Sequence, residues 1–245
     1  MISIIVPVFN AGPTLARALS SISHQTIRNW ECIIIDNNST DGSLSIAKEF
    51  VAADDRFSLF SCNLQGVSFA RNLGLEHVRG EFVAFLDSDD WLAPSSLEVR
   101  FNALVNASDA IGVCTNYAQL TKSGLIVDIK RSTKRQISRD DILIINEIPM
   151  LTALVRTSAI GDLRFVNLGH EDYIFWLHLL ENGSFMNLPS VTAFYDASVV
   201  GLSANKKKAV LWHYRIMRDI LSFGLIQSLR HTFLFLMKQA FRRFT

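Results

Sequence analysis

Through the first 115 residues the chain alternates between two hydrophobic patterns. Continuous apolar runs at Ser3–Val8, Cys32–Ile35 and Phe82–Leu86, with a shorter one at Phe57–Phe60, predict strands buried on both faces of a parallel sheet. The segments between them carry helical spacing instead. Leu15, Leu19 and Ile22 follow Gly12-Pro13, Leu44, Ala47 and Phe50 follow Asp41-Gly42, and Val67–His77 reads as a third helix. Strands alternating with helices predict an α/β fold, Rossmann-like, with a mostly parallel central sheet and flanking helices. From about residue 118 the pattern loosens. Lys122 to Arg139 is polar and basic, the pattern of a solvated loop or of a loop over a site. Asp172–Leu180 then predicts a helix with Ile174, Phe175, Leu177 and Leu180 on its apolar face, and Ser184–Leu188 and Val191–Tyr195 read as returning strands.

Composition adds a core-forming chain, 49% hydrophobic and 19% charged, which excludes a disordered one. Three cysteines (Cys32, Cys62, Cys114) lack disulfide or zinc spacing and point to a reduced, cytoplasmic setting. Neither a signal peptide nor a run of ~20 apolar residues is present, so no membrane span is expected. The net charge of +1 conceals a division. Residues 206–245 hold nine basic residues and one acid, Asp219, for a net of +8, whereas residues 1–205 hold 15 basic and 22 acidic, for a net of −7.

Three predicted strand ends carry the polar chemistry: Pro7-Val8-Phe9-Asn10, Asp36 to Gly42, and Asp87-Ser88-Asp89-Asp90. Ligands of open α/β sheets bind at such ends. Asp41 is balanced between a ligand role and a helix cap. Three carboxylates within four residues repel one another unless a cation compensates, and hard oxygen ligands suit Mg²⁺ or Mn²⁺ with substrate phosphates. The alternative is an acidic cap for the helix near Pro94–Ser96. No G-x-G-x-x-G and no G-x-x-x-x-G-K-[ST] is present, which argues against a dinucleotide-binding dehydrogenase and a P-loop NTPase.

Five blocks, SIIVPVFN, IIIDNNSTDGS, GVSFARNLGL, EFVAFLDSDDW and HEDYIFWLHL, lie in order over about the first 180 residues. Together they resemble the inverting, non-processive glycosyltransferases of family 2, of the type that builds bacterial surface polysaccharides, which have the GT-A fold. The resemblance implies a metal-dependent transfer of one sugar from a nucleotide-sugar, commonly a UDP-sugar, to a glycan or lipid-linked oligosaccharide. It places Pro7, Asn10, Asp36, Arg71, Asp87 and Ser88 at the donor and Asp89 on Mn²⁺ or Mg²⁺. Asp172 becomes the catalytic base, with Glu171, Trp91 and Trp176 at the acceptor. Taken with the charge division, it suggests a catalytic domain over 1–205, with a donor half 1–117 and an acceptor half 118–205, and a helical tail over 206–245. Bland alternatives stand beside several of these: Arg71 bracing the Asp cluster, Glu171 as a helix-start acid, both tryptophans as core, and Asp90 supporting its loop. A carboxylate base agrees with what inversion requires, one group to take the acceptor hydroxyl proton.

Departures accompany the resemblance. The family's common DDGSTD block reads Asp36-Asn37-Asn38-Ser39-Thr40-Asp41 here, and a histidine expected after the ED helix is replaced in Tyr195-Asp196-Ala197-Ser198. Water, Asp196 or His170 is then left to complete the metal shell. These gaps motivate the alternative of a non-catalytic sugar-nucleotide-binding or scaffold protein. The QxxRW motif of processive synthases is absent. The tail, basic and rich in Phe, Leu and Ile, predicts amphipathic helices for an anionic membrane surface, placing the protein on the inner face of the plasma membrane. Packing on the catalytic domain or in a homodimer is the competing use, and nucleic acid is not expected as a partner.

Overall fold

A computed structural model of the chain describes residues 1–121, 125–130, 134–196 and 206–241. The strands are β1 (Ile2–Val8), β2 (Trp30–Asp36), β3 (Phe57–Ser61), β4 (Phe82–Phe85), β5 (Trp91–Leu92), β6 (Ala110–Leu120), β7 (Ile126–Lys130), β8 (Gln136–Ile137), β9 (Leu154–Arg156) and β10 (Ser184–Asp196). The helices are α1 (Leu15–Ser23), α2 (Ser43–Ala53), α3 (Val67–Glu76), α4 (Ser96–Val105), α5 (Arg139–Ile142), α6 (Thr157–Ile160), α7 (Glu171–Leu179), α8 (Lys206–Arg215) and α9 (Leu225–Phe241). One mixed sheet runs β3-β2-β1-β4-β9-β6-β10-β5, with β7 added to β6 and β8 to β10. Strands β3, β2, β1 and β4 are mutually parallel. Strand β9 is antiparallel to both β4 and β6, so the sheet crosses from one half of the chain to the other through a single reversed strand.

Period-two alternation sends successive side chains of the buried strands to opposite faces. Ile5, Ile33, Ile35, Val83 and Phe85 enter one core with residues of α3 and α7. Ile4, Val6, Cys32, Ile34 and Ala84 enter the other with Leu15, Leu19 and Ile22 of α1 and Leu97 and Leu104 of α4. The basic stretch expected to be a loop instead carries β7, paired antiparallel to β6 from Tyr117↔Lys130 to Leu120↔Ile126. Residues 122–124 and 131–133 lie outside the described residues, as do 197–205, 242–245 and the side chains of Lys206, Lys207 and Lys208.

Helix α7 is buried almost all round: Tyr173, Ile174, Phe175, Trp176, Leu177 and Leu179 are all in the interior, as expected of a helix apolar on every side. The C-terminal segment packs on this same layer. After α8 the chain makes a π-helical turn at Ile216–Ile220, and Ile216 and Met217 join the core that contains Phe175 and Trp176. Trp212 sits flush on Gly169, where a Cβ would come within 2.7 Å of its ring and where φ is +23°. Glycine serves both demands there, a left-handed backbone and an open face. Among the described residues no helix is long and apolar enough to cross a membrane.

Candidate active site

The pairing directions put the carboxyl ends of β1, β2, β4, β6 and β10 along one edge of the sheet. Two loops on that edge are sewn together. Asn10, left-handed at φ 47°, accepts the Thr40 amide on its side-chain oxygen at 2.8 Å and donates its own backbone N–H to Ser39 Oγ at 3.1 Å. Asp41 accepts from the Ser43 amide and hydroxyl and from the Gly12 amide; these hydrogen bonds, Ser43's first, lower its pKa. Asp41 thereby ties the first turn of α2, whose N-cap is Gly42, to the loop after β1. Pro7 is buried inside β1. Asp36 is buried at the end of β2, and its Oδ1 has no hydrogen-bond partner among the described residues. That is an acceptor awaiting a donor. Asn37 turns the other way: its amide nitrogen donates to the carbonyls of Cys62 and Leu64 at 3.1 and 2.7 Å, and its oxygen accepts the Gly66 amide at 2.7 Å.

The acidic cluster follows β4. Arg71 of α3, 4% exposed in its side chain, donates to Asp87 Oδ1 and to Glu171 Oε1, each at 2.7 Å. Burial works against the charge on Arg71, but Asp87 and Glu171 more than offset it and its pKa is raised. The chain turns through Ser88 and Asp89, and β5 then pairs with the last residues of β10, bringing Asp196 beside the turn. Arg17 of α1 donates to the Asp89 carbonyl at 2.7 Å and to Asp196 Oδ2 at 2.8 Å, while its guanidinium lies 3.8 Å from the Trp91 ring centre. Asp90 is buried beneath the turn, accepting the Asp196 amide at 3.4 Å. Burial, then Asp87 and Asp89, push its carboxyl well above the usual carboxylate range. Asp89 is raised too, by burial and then by Asp87.

On the other side of Arg71, Asp172 stands in the first turn of α7 and is partly buried. Asn146 donates to its Oδ2 at 3.0 Å. Burial first, and Glu171 second, raise its pKa against the pull of Arg71. It opens into a cavity of about 180 Å³ whose far wall is made by α8 and α9.

The donor set suits a divalent ion. Among the described residues no three His, Cys, Asp or Glu side chains converge as a complete ligand shell. Mg²⁺-type ions, however, are ordinarily held by one or two carboxylates and completed by substrate phosphates and water. Among the described residues Arg17 is the cation that acts on the raised, neighbouring carboxyls of Asp89 and Asp90, and it is committed to Asp196 and to a carbonyl. Asp89 would hold such an ion.

Residues 3–159 match the family model described as Glycosyl transferase family 2. The chain belongs to that family. It is 33% identical over 238 residues to an uncharacterized glycosyltransferase of Haemophilus influenzae, covering 96% of this chain and 94% of that one. It is 30% identical over 225 residues to the UDP-Glc:α-D-GlcNAc-diphosphoundecaprenol β-1,3-glucosyltransferase of Escherichia coli, covering 89% and 86%. Among solved structures, Staphylococcus aureus TarS 1–349 in complex with UDP-GlcNAc superposes with a TM-score of 0.73 at 20% identity, covering 96% of this chain and 71% of that one. The fold is therefore the α/β, GT-A arrangement anticipated from the strand and helix pattern.

Within this glycosyltransferase the anticipated residues do not all meet. Asp36, Asp87, Ser88 and Asp89 lie along one edge of the sheet, and Arg71 joins Asp87 to Glu171 ahead of Asp172. Arg71 pairs with Asp87, the contact its bracing alternative anticipates, and also with Glu171, whose alternative was a helix-start acid. Trp176 is corrected outright. It is fully buried against Phe85, Phe175 and Phe185, because α7 is enclosed on all sides, and no sugar reaches it. Trp91 is stacked on Phe194 and capped by Arg17, which commits its ring to packing at the turn. Asn37 is explained by the loop it fastens, so its departure from an aspartate no longer argues for a protein without turnover. Arg17 and Asn146 were missed, whereas the packing of α8 and α9 on the body is the competing use the sequence already offered for the tail. Arg17 had one faint signal, an arginine among the small and apolar residues of its helix; Asn146 had none.

Proposed function

We propose that this family 2 glycosyltransferase moves a single sugar, with inversion, from a UDP-sugar to a glycan carried on a lipid, with Mn²⁺ or Mg²⁺ at Asp89. The observation that carries the reading is the Arg71 bridge, which ties the donor carboxylate Asp87 to the helix start bearing Asp172. Asp36 offers its unpartnered Oδ1 to a ring N–H of the base. Asp172 takes the proton of the acceptor hydroxyl as that oxygen attacks the anomeric carbon. The bond from this carbon to the diphosphate breaks on the opposite face, and its electron pair leaves with the nucleotide. A raised pKa serves a carboxylate acting as a base near neutral pH. When bound, the divalent ion supplies charge neutralisation for the leaving diphosphate. The E. coli relative's name specifies UDP-glucose and a diphosphoundecaprenol-linked acceptor, and the same classes are proposed here.

Residues 1–205 form the catalytic body in this reading, and 206–245 a helical segment docked on it. The outer side of α9 exposes Ile226, Leu229, Phe233 and Leu236 in a stripe next to basic residues, the surface of a helix lying in an anionic membrane interface. The test is NMR of the anomeric configuration of product made from UDP-sugars with Mn²⁺, beside Asp172→Asn. Inverted product, with transfer lowered at least about 100-fold in the variant and UDP-sugar binding unchanged, is expected. Retained configuration, or a fully active variant, would overturn the assignment.

A further inference from the structure

Helix α7 carries Asp172 but does not aim its carboxylate alone. The chain between α5 and Pro149 lies against it, and there Asn146 donates Nδ2 to Asp172 Oδ2 at 3.0 Å. The sense of this amide is fixed by its other end. Its Oδ1 accepts the Ile148 N–H at 3.0 Å, and a backbone N–H only donates, so the amide nitrogen faces the carboxylate. Ile148 is fully buried, which anchors this Asx turn and with it the donor that Asp172 receives.

The segment that presents Asn146 is held from two sides. Tyr173, next to Asp172 on α7, donates its hydroxyl to the Ile142 carbonyl at 2.7 Å. His213 of α8 donates Nε2 to the next carbonyl, that of Leu143, at 3.1 Å. Lys238 of α9 reaches Glu147, the residue after Asn146, at 2.6 Å. The Glu147 side chain is only 8% exposed, so salt screens this pair little. His213 also lies nearly parallel to the Phe235 ring of α9 at 4.5 Å, which ties the two helices to each other. The contacts close a circuit: α7 grips the segment at 142, the C-terminal helices grip it at 143 and 147, and the segment returns to α7 at Asp172.

A base needs such a circuit. The last torsion of an aspartate is broad and roughly two-fold, so burial by itself does not choose which oxygen meets the acceptor. A donor on Oδ2 sets the plane of the carboxylate, and Oδ1 then takes the proton. We infer that Asn146 is the positioning residue of the base, and that the C-terminal helices hold Asn146 in place through His213 and Lys238. The inference rests on the reading of Asp172 as base. It gives the C-terminal helices, which lie outside the 3–159 span that matches the family, a part in the chemistry.

The experiment is carboxyl ¹³C NMR across pH on the aspartate-labelled full chain, with the Asp172 signal identified by its loss in Asp172→Asn. Turnover is followed beside it as UDP release from UDP-glucose with Mn²⁺. Asn146→Asp keeps the oxygen that the Ile148 N–H needs and replaces only the donor, by a second carboxylate. The Asp172 midpoint should move to higher pH, since a donor to the charged form is lost and a like charge is gained. Arg71, Glu171 and His170, the other charges acting on Asp172, are unchanged. On the plateau above the acid limb, kcat should fall about 10–100-fold, the range that a misplaced reacting group costs. KM for UDP-glucose should stay at the wild-type value, which reports that the fold and donor site survive. Lys238→Met should move the midpoint the same way by a smaller step, and should add little to Asn146→Asp in the double variant.

An unmoved midpoint in Asn146→Asp, or a plateau rate at the wild-type value, overturns the positioning role. An unmoved midpoint in Lys238→Met, or full additivity, overturns the part given to the C-terminal helices. The titration itself needs neither acceptor nor turnover. Asp172→Asn keeps the two readings apart: UDP release lost there but untouched in Asn146→Asp removes only the positioning role, and release undiminished in Asp172→Asn removes the base.

Discussion

Replacing Arg71 with methionine tests the joint on which the site is built. The guanidinium is buried and makes two 2.7 Å contacts, one to each carboxylate. Removing one member of a buried ionic network costs about 3–5 kcal/mol, because the remaining charges lose their compensation. Here Asp87 is 37% exposed and Glu171 19% exposed, so water recovers part of that loss and the lower end, about 3 kcal/mol, is expected. A second effect is chemical. Among the groups that pull the Asp172 pKa down, Arg71 acts most strongly, as an opposite charge at close range does to a carboxyl. The base is active when ionised, so the transfer rate rises with pH through its pKa. Without Arg71 that acid limb should move upward. Urea unfolding gives the first number and kcat against pH gives the second, with Arg71→Lys, which keeps the charge and loses the fork, falling between. Stability within about 0.5 kcal/mol of wild type together with an unmoved limb would refute the bracing role. A raised KM for the donor as the sole change would return Arg71 to the diphosphate.

Other outcomes follow from the same geometry. Burial drives the His213 pKa down to about 4 from 6.5, so the folded state resists the proton that the unfolded chain accepts. Stability is complete above about pH 6.5 and declines by about 3 kcal/mol as pH falls toward 4; thermal melts of His213→Gln should lose that component. Asn37→Asp would turn a carboxylate toward the Cys62 and Leu64 carbonyls and should cost about 1–3 kcal/mol, read by chemical denaturation. Ile226→Ser with Phe233→Ser, both on the outer side of α9, should abolish flotation on phosphatidylglycerol vesicles while leaving UDP-sugar binding intact. Undiminished flotation would place the membrane contact elsewhere.

The parallel strands were legible because burial on both faces leaves an apolar run with nowhere else to go, and β1, β2, β3 and β4 sit within two residues of the positions those runs mark. Their carboxyl ends placed Asp36, Asp87 and Asp89 on one edge. What a run cannot show is its partner. Arg71 announced a brace for the acidic cluster, but not its second carboxylate, Glu171, 100 residues away. Trp176 went to the core, the alternative that its helix left open, because that helix is enclosed on every side and not only on the face the spacing marks. The C-terminal helices carried both an inner and an outer apolar side. Amphipathicity alone did not say that Ile216, Met217 and Phe235 would be taken by the body while Ile226 and Phe233 stayed outside.

The reversed strand has a bearing on how the molecule is made. Strand β4 is paired on one side by β1, and on the other only by Leu154–Arg156. During synthesis, everything up to β6 leaves the ribosome some 35–40 residues before that partner does, at ~5–20 residues per second. For seconds, Phe82–Phe85 presents an open apolar edge, the kind that recruits other chains. A fragment ending near residue 117 would keep that edge permanently and should aggregate, even though it holds Asp36 and the acidic turn. The two parts of the chain are thus inseparable in the order of folding: the sheet begun by β1 to β4 is finished by a strand that belongs to the later half of the chain.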